Sequence, residues 1–119
     1  IYTKRDWGYA PEYVEAMWMM LQDQTANDYV VATGKTYTVK DFVSFCFHEV
    51  NINLRWDGEG LNEVGINPKN GKIVVKINKK YFRPSDVDYL KGDSSKINKN
   101  LGWSHKTSMN ELARLMLNN

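Results

Sequence analysis

Apolar residues recur at helical spacing in some stretches of the chain and in short strand-like runs in others. Over residues 10–23, Tyr13, Val14, Met17, Trp18 and Leu21 fall on one wide stripe, so a helix is expected with that stripe turned inward. Pro11 suits its first turn, where a missing N–H costs nothing. The run 28–32 (DYVVA) predicts a short buried strand ended by Gly34. Tyr37 opens a second strand-then-helix step. Thr38 is a good N-cap for a helix over 39–50, with Phe42, Val43, Cys46, Phe47 and Val50 as its apolar stripe. A strand is expected over 53–56. Pro68-Lys69-Asn70-Gly71 is a turn signal joining residues 64–66 to 72–77 as a β-hairpin.

Tyr81-Phe82-Arg83-Pro84 reads as extended. Ser94 or Ser95 can cap a short helix that Gly102 stops. Ser108 and Glu111 stand at capping-box spacing before a last helix running to about residue 118, with Leu112, Leu115 and Met116 inward. The fold class is therefore α/β: one small mixed lobe of short strands and about four helices over residues 1–119. It carries no internal repeat, low-complexity stretch or domain linker.

Composition narrows this picture. Hydrophobic residues make up 42% and charged residues 25%, which is ordinary for a globular protein and argues against disorder. The formal charge is only +2 and is spread along the chain, so no basic stripe for nucleic acid is present. No apolar run approaches the roughly 20 residues a membrane span needs. A signal-peptide pattern is absent too. Cys46 is the only cysteine, which fits a reducing cytoplasm. Ile1 is no initiator and a motif begins at once, so a fragment of a longer protein is expected.

Arginine occurs at positions 5, 55, 83 and 114. Arg5 and Arg83 lie in extended or turn segments, where side chains can converge on a ligand. The planar fork of donors on arginine matches phosphate geometry, so the two could clamp a diphosphate. Asp86 could accept hydrogen bonds from ribose hydroxyls. The competing reading pairs Arg5 with Asp6 or Glu12, and Arg83 with Asp86 or Asp88. His48, His105 and Cys46 do not make a metal spacing. Cys46 reads as a core residue on an apolar stripe. Asp57, Glu59 and Glu63 read as a solvated acidic turn rather than a paired-carboxylate site.

Five segments, in order, carry a resemblance. RDWGYAPEYVEAMWMMLQ (5–22), DYVVATGKTYTVKDFV (28–43), GEGLNEVGI (58–66), YFRPSDVDYLKGD (81–93) and LGWSHKTSMNEL (101–112) resemble the last third of GDP-mannose 4,6-dehydratases. Arg-Asp-Trp with a later Arg-Pro is similar to the wider extended short-chain dehydrogenase/reductase group. The Ala-Thr-Gly and Tyr-Phe-Arg-Pro segments favour the GDP-mannose branch.

The resemblance implies a Rossmann domain that binds NADP, followed by a smaller lobe that binds the nucleotide-diphosphate part of GDP-mannose. In such enzymes a hydride leaves the sugar C4 for NADP, water is lost across C5 and C6, and the hydride returns to C6. The product is GDP-4-keto-6-deoxymannose, on the route to GDP-fucose. Carried over residue by residue, Arg5 and Arg83 would contact the diphosphate and its ribose. Asp86 stands where the family often has Glu facing ribose. Trp7 either lines the pocket or packs in the core.

Other parts of such an enzyme are missing. No G-x-G-x-x-G follows a strand, since Gly58-Glu59-Gly60 lacks the third glycine. No tyrosine is followed four residues later by lysine, so the Tyr-x-x-x-Lys acid–base pair is also missing. The catalytic Thr/Ser and Glu of the family are expected upstream. No catalytic residue and no bound cofactor are therefore expected on this chain. The expected partners are GDP or GDP-mannose, a missing N-terminal Rossmann domain, and a second copy in a homo-oligomer. The alternatives are the substrate lobe of a related sugar-nucleotide reductase or epimerase, or a free-standing interaction module.

Overall fold

The computed structural model describes residues 1–81 and 89–118. Strand β1 (Lys4–Asp6) leads into helix α1 (Ala10–Gln22). Strand β2 (Thr36–Thr38) runs straight into helix α2 (Val39–Glu49). Strands β3 (Arg55–Asp57), β4 (Val64–Asn67) and β5 (Lys72–Lys76) follow, then helices α3 (Ser95–Leu101) and α4 (Met109–Leu117). The strands form two separate antiparallel sheets, β1-β2 and β3-β4-β5.

Local chemistry accounts for most of the element ends. Thr38 and Asp41 close a reciprocal capping box on α2: the Thr38 hydroxyl accepts from the Asp41 N–H, and the Asp41 carboxylate from the Thr38 N–H. Asn51, at φ 64°, ends α2 in the left-handed region, and the Ile52 N–H reaches back to the Phe47 carbonyl. Ser108 accepts from the Glu111 N–H at the start of α4. Gly102, at φ 72°, stops α3 as expected. The cap of α3 comes from neither serine: the Asp93 carboxylate accepts from the Ser95 N–H at 3.0 Å. The 68–71 turn forms as expected, and Val74 bulges out of the β4-β5 register between Gly65 and Ile66.

One core cluster gathers Ala16 of α1, Ile97 of α3 and Trp103, with Tyr13, Met19, Met20, Tyr29, Val31 and Leu101 packed around it. The Trp103 indole donates to the Glu12 carbonyl at 3.0 Å and meets the Tyr13 ring edge-on at 6.0 Å. A second layer packs α4 onto α2, burying Met109, Leu112 and Ala113. Met116, expected inward, is exposed.

The stripe read from the α1 sequence is largely not the buried one. Val14 (62% exposed), Met17 (57%), Trp18 (61%) and Leu21 (81%) face outward, and only Tyr13 reaches the core. The reason is that α1 is apolar almost all round, and this chain's own core takes the side centred on Ala16, Met19 and Met20. Residues 28–32 also differ from expectation. Tyr29 and Val31 pack inward and Val30 outward, as in a strand, but no described strand offers a ladder partner. The shape follows from these open faces. The radius of gyration is 17.6 Å, against about 13.5 Å for a compact domain of this length. The accessible surface is 8567 Å², against about 6,600 Å² for a folded monomer of this mass. No helix among the described residues is long and apolar enough to cross a membrane.

Candidate functional site

Strand β1 is the hub of the polar architecture. Along one edge it pairs with β2, setting Lys4 opposite Thr38, Arg5 opposite Tyr37 and Asp6 opposite Thr36. Along the other it meets the returning chain: Lys4 and Tyr89 form a parallel bridge, and the Leu90 N–H donates to the Lys4 carbonyl at 3.0 Å. Arg5 therefore sits in mid-strand between two segments, half-buried, with its guanidinium donating to the Lys4 carbonyl at 2.9 Å.

Among the described residues, Asp6 is the carboxylate that accepts the most hydrogen bonds. One oxygen accepts from the Thr33 N–H at 2.9 Å and the Thr33 hydroxyl at 2.6 Å. The other accepts from the Gly34 N–H at 2.9 Å and the Gly92 N–H at 3.2 Å. Burial works to raise this carboxyl, but the hydrogen bonds from Thr33, Gly34 and Gly92 outweigh it and hold the group below its ordinary value. Glu12, the other suggested partner of Arg5, accepts instead from the Lys106 N–H and the Thr107 hydroxyl.

Trp7 packs inward. Its ring stacks on Phe42 at 4.6 Å and its N–H donates to the Tyr37 carbonyl at 3.0 Å, fastening β1 to β2 and α2. Arg83 and Asp86 lie outside the described residues, as does all of the Tyr81-Phe82-Arg83-Pro84 segment beyond Tyr81. Tyr81 itself ends a 3-10 turn.

A second polar group formed where a solvated loop was expected. Glu63 is only 3% exposed and accepts from the Tyr2 hydroxyl on both carboxylate oxygens. Lys40 completes the group at 3.4 Å from Glu63, with its ammonium 5.0 Å from the Tyr2 and Trp56 ring centres. Its neighbours hold that ammonium in the charged form: burial would lower its pKa, but Tyr2 and Glu63 raise it. The sequence signal for this group was faint: a carboxylate between Asn62 and Val64, just before an apolar strand.

Clefts among the described residues include the following pair. One is lined by Asp41, Ser44, Phe45, His48, Asn53 and Leu54, the other by Gly34, Lys91, Gly92, Asp93 and Ser94. Neither is lined by Arg5 or Trp7. No cluster of three or more His, Cys, Asp or Glu gathers as a metal site among the described residues. The Gly58-Glu59-Gly60 segment is not shaped as a dinucleotide-binding turn. Gly58 and Gly60 follow an antiparallel strand and lead into a single 3-10 turn, Gly60–Asn62, instead of the α-helix whose N-terminus would hold a pyrophosphate.

The sequence matches the family model described as GDP-mannose 4,6 dehydratase over residues 1–116. The chain belongs to the GDP-mannose 4,6-dehydratase family. A GDP-mannose 4,6 dehydratase of Drosophila melanogaster is 49% identical over 115 residues, which is 97% of this chain and 29% of that protein. One of Dictyostelium discoideum is 49% identical over 98% of this chain and 33% of its own length. The Homo sapiens member is 43% identical over 97% and 31%. The chain thus spans about a third of the length of the curated relatives it matches. The structure of RMD from Pseudomonas aeruginosa complexed with NADPH superposes with a TM-score of 0.72 over 99% of this chain and 33% of that one. At 13% identity, that likeness concerns the fold: the α/β lobe of this chain is also built into an NADPH-bound protein.

Proposed function

We propose that this chain is the substrate-side lobe of a GDP-mannose 4,6-dehydratase and holds the GDP part of GDP-mannose. Arg5 and Arg83 clamp the diphosphate, and Asp86 accepts from the ribose. Trp7 backs the Arg5 strand from behind. The observation that carries this reading is the Lys4–Tyr89 bridge. It ties the described end of the Arg83-bearing segment to the residue next to Arg5.

NADP and the acid–base groups belong, in this reading, to a Rossmann domain preceding these residues, so the lobe turns over nothing alone. The outward apolar face of α1, the run 28–32 with no ladder partner among the described residues, and the excess surface all support a lobe built to be covered by such a domain. Self-association through the same face is the corresponding expectation for the lobe by itself.

The reading is tested by calorimetric titration with GDP and GDP-mannose. The natural protein that contains these residues should bind both. The 119-residue chain alone should bind weakly, since half the pocket is supplied from elsewhere. Arg83→Ala in the natural protein should weaken GDP binding; unchanged affinity would remove the clamp assignment.

A further inference from the structure

Asp6 is partly buried, and among the described residues its partners are hydrogen-bond donors rather than a cation. Its two oxygens take four donors from two segments remote in sequence, the Thr33-Gly34 turn and the loop at Gly92. Both segments are shaped for this. Gly34 adopts φ 78°. A Cβ on Gly92 would lie 2.2 Å from the Cβ of Ala32, so only glycine lets its N–H approach. The Thr33 hydroxyl also accepts from the Lys35 N–H, which locks the turn that presents it.

We infer that Asp6 is the positioning residue of this site, a clasp that fixes Arg5 by pinning β1 to both the Thr33-Gly34 turn and the Gly92 loop. The inference rests on reading Arg5 as a ligand contact. Successive side chains on a strand point to opposite faces. Pinning Asp6 on one face therefore sets the direction of Arg5 on the other. The same loop carries Leu90 and Tyr89, which bond to Lys4, so the clasp also holds the returning chain in register beside Arg5.

A carboxylate is needed because all four partners are donors. In Asn, whichever side presents the NH₂ sets it against a backbone N–H, of Thr33 or of Gly34 and Gly92, opposing donor to donor. Asp6→Asn is therefore a sharp perturbation of almost unchanged volume. The test uses the natural protein that contains these residues, with Ile97→Val as a control that loosens the lobe core away from the clasp. Three properties are measured on each: melting temperature, deuterium exchange of peptides covering 30–36 and 89–95, and GDP affinity.

Asp6→Asn should speed exchange in both peptides together and raise the Kd for GDP about tenfold or more, since hydrogen bonds to a charged group are lost. Ile97→Val should lower the melting temperature without moving the Kd. An Asp6→Asn protein with unchanged GDP affinity, or a control that weakens GDP binding as much at equal loss of melting temperature, overturns the inference. Wild-type protein that binds no GDP would instead overturn the proposed function. The clasp is then decided by exchange: it stands if both peptides loosen together and falls if either does not.

Discussion

The Tyr2–Lys40–Glu63 group allows a prediction with a definite asymmetry. Glu63 is 3% exposed, whereas the Lys40 side chain keeps about a quarter of its surface. At 3.4 Å, two unit charges attract by about 5 kcal/mol at an effective dielectric of 20, before either is desolvated. Removing the lysine charge strands a buried carboxylate with only the Tyr2 hydroxyl. For a fully buried pair that costs about 3–5 kcal/mol, and the partial exposure of Lys40 brings the expectation to about 2–4 kcal/mol for Lys40→Met. Removing the glutamate charge is milder. In Glu63→Gln the amide oxygen still accepts from Tyr2 and the ammonium turns toward water, for about 1 kcal/mol.

The double variant Lys40→Met/Glu63→Gln should therefore be more stable than Lys40→Met alone, with a coupling of about 1–2 kcal/mol. Equilibrium urea unfolding of the wild-type chain, both single variants and the double variant measures this. Equal costs for the two single variants with no coupling would mean that Glu63 is hydrated and the burial argument is wrong.

Three further outcomes follow from other parts of the molecule. Ile97→Ala empties the centre of the Ala16–Ile97–Trp103 cluster and should cost about 2–5 kcal/mol in the same assay; under 1 kcal/mol would mean the site collapses freely. The Asp6 carboxyl lies lower folded than unfolded, so its contribution is fully present above the ordinary carboxylate value of 3.8 and is lost as pH falls through the folded value. The melting-temperature gap between wild type and Asp6→Asn should accordingly be constant near neutrality and shrink below about pH 4; a gap that does not change with pH contradicts the assignment. Met17→Lys combined with Leu21→Glu, both on the outward face of α1, should reduce self-association of the 119-residue chain in sedimentation velocity and leave its helix content unchanged. Undiminished association would move the sticky surface elsewhere.

Much of the fold could be read from local signals, because those signals are themselves local physics. Thr38 with Asp41, Asn70-Gly71, Ser108 with Glu111, and Gly102 each act within a few residues. What failed was the choice between faces. Periodicity shows that α1 is apolar but cannot say which of two apolar sides its own chain will cover, and the side with Val14, Met17, Trp18 and Leu21 proved to be the uncovered one. Residues 28–32 alternate as a strand should, yet a strand is defined by its neighbours, and no described strand pairs with this run. Glu63 and Asp6 were misjudged for one reason. Their donors come from 23 to 86 residues away, so nothing nearby marks a carboxylate as buried or a turn as its ligand. Arg5 and Trp7 were singled out by surroundings alone, and the structure sets Arg5 on β1 and Trp7 just after it, turned into the α2 packing.

Residues 28–32 leave a row of peptide groups with no described strand beside them, on a run whose Tyr29, Val30 and Val31 favour extended structure and carry no charge. An edge of that composition, until a strand covers it, is a template that any extended segment of a second molecule can join. Solubility during synthesis then becomes a matter of timing. Between emergence of these residues and the arrival of whatever strand closes them, the chain is exposed to intermolecular pairing. Lys35, just beyond the Thr33-Gly34 turn, is the nearest charge downstream to interrupt it. Concentration and temperature during expression should consequently govern the yield of this lobe more strongly than its folded stability does.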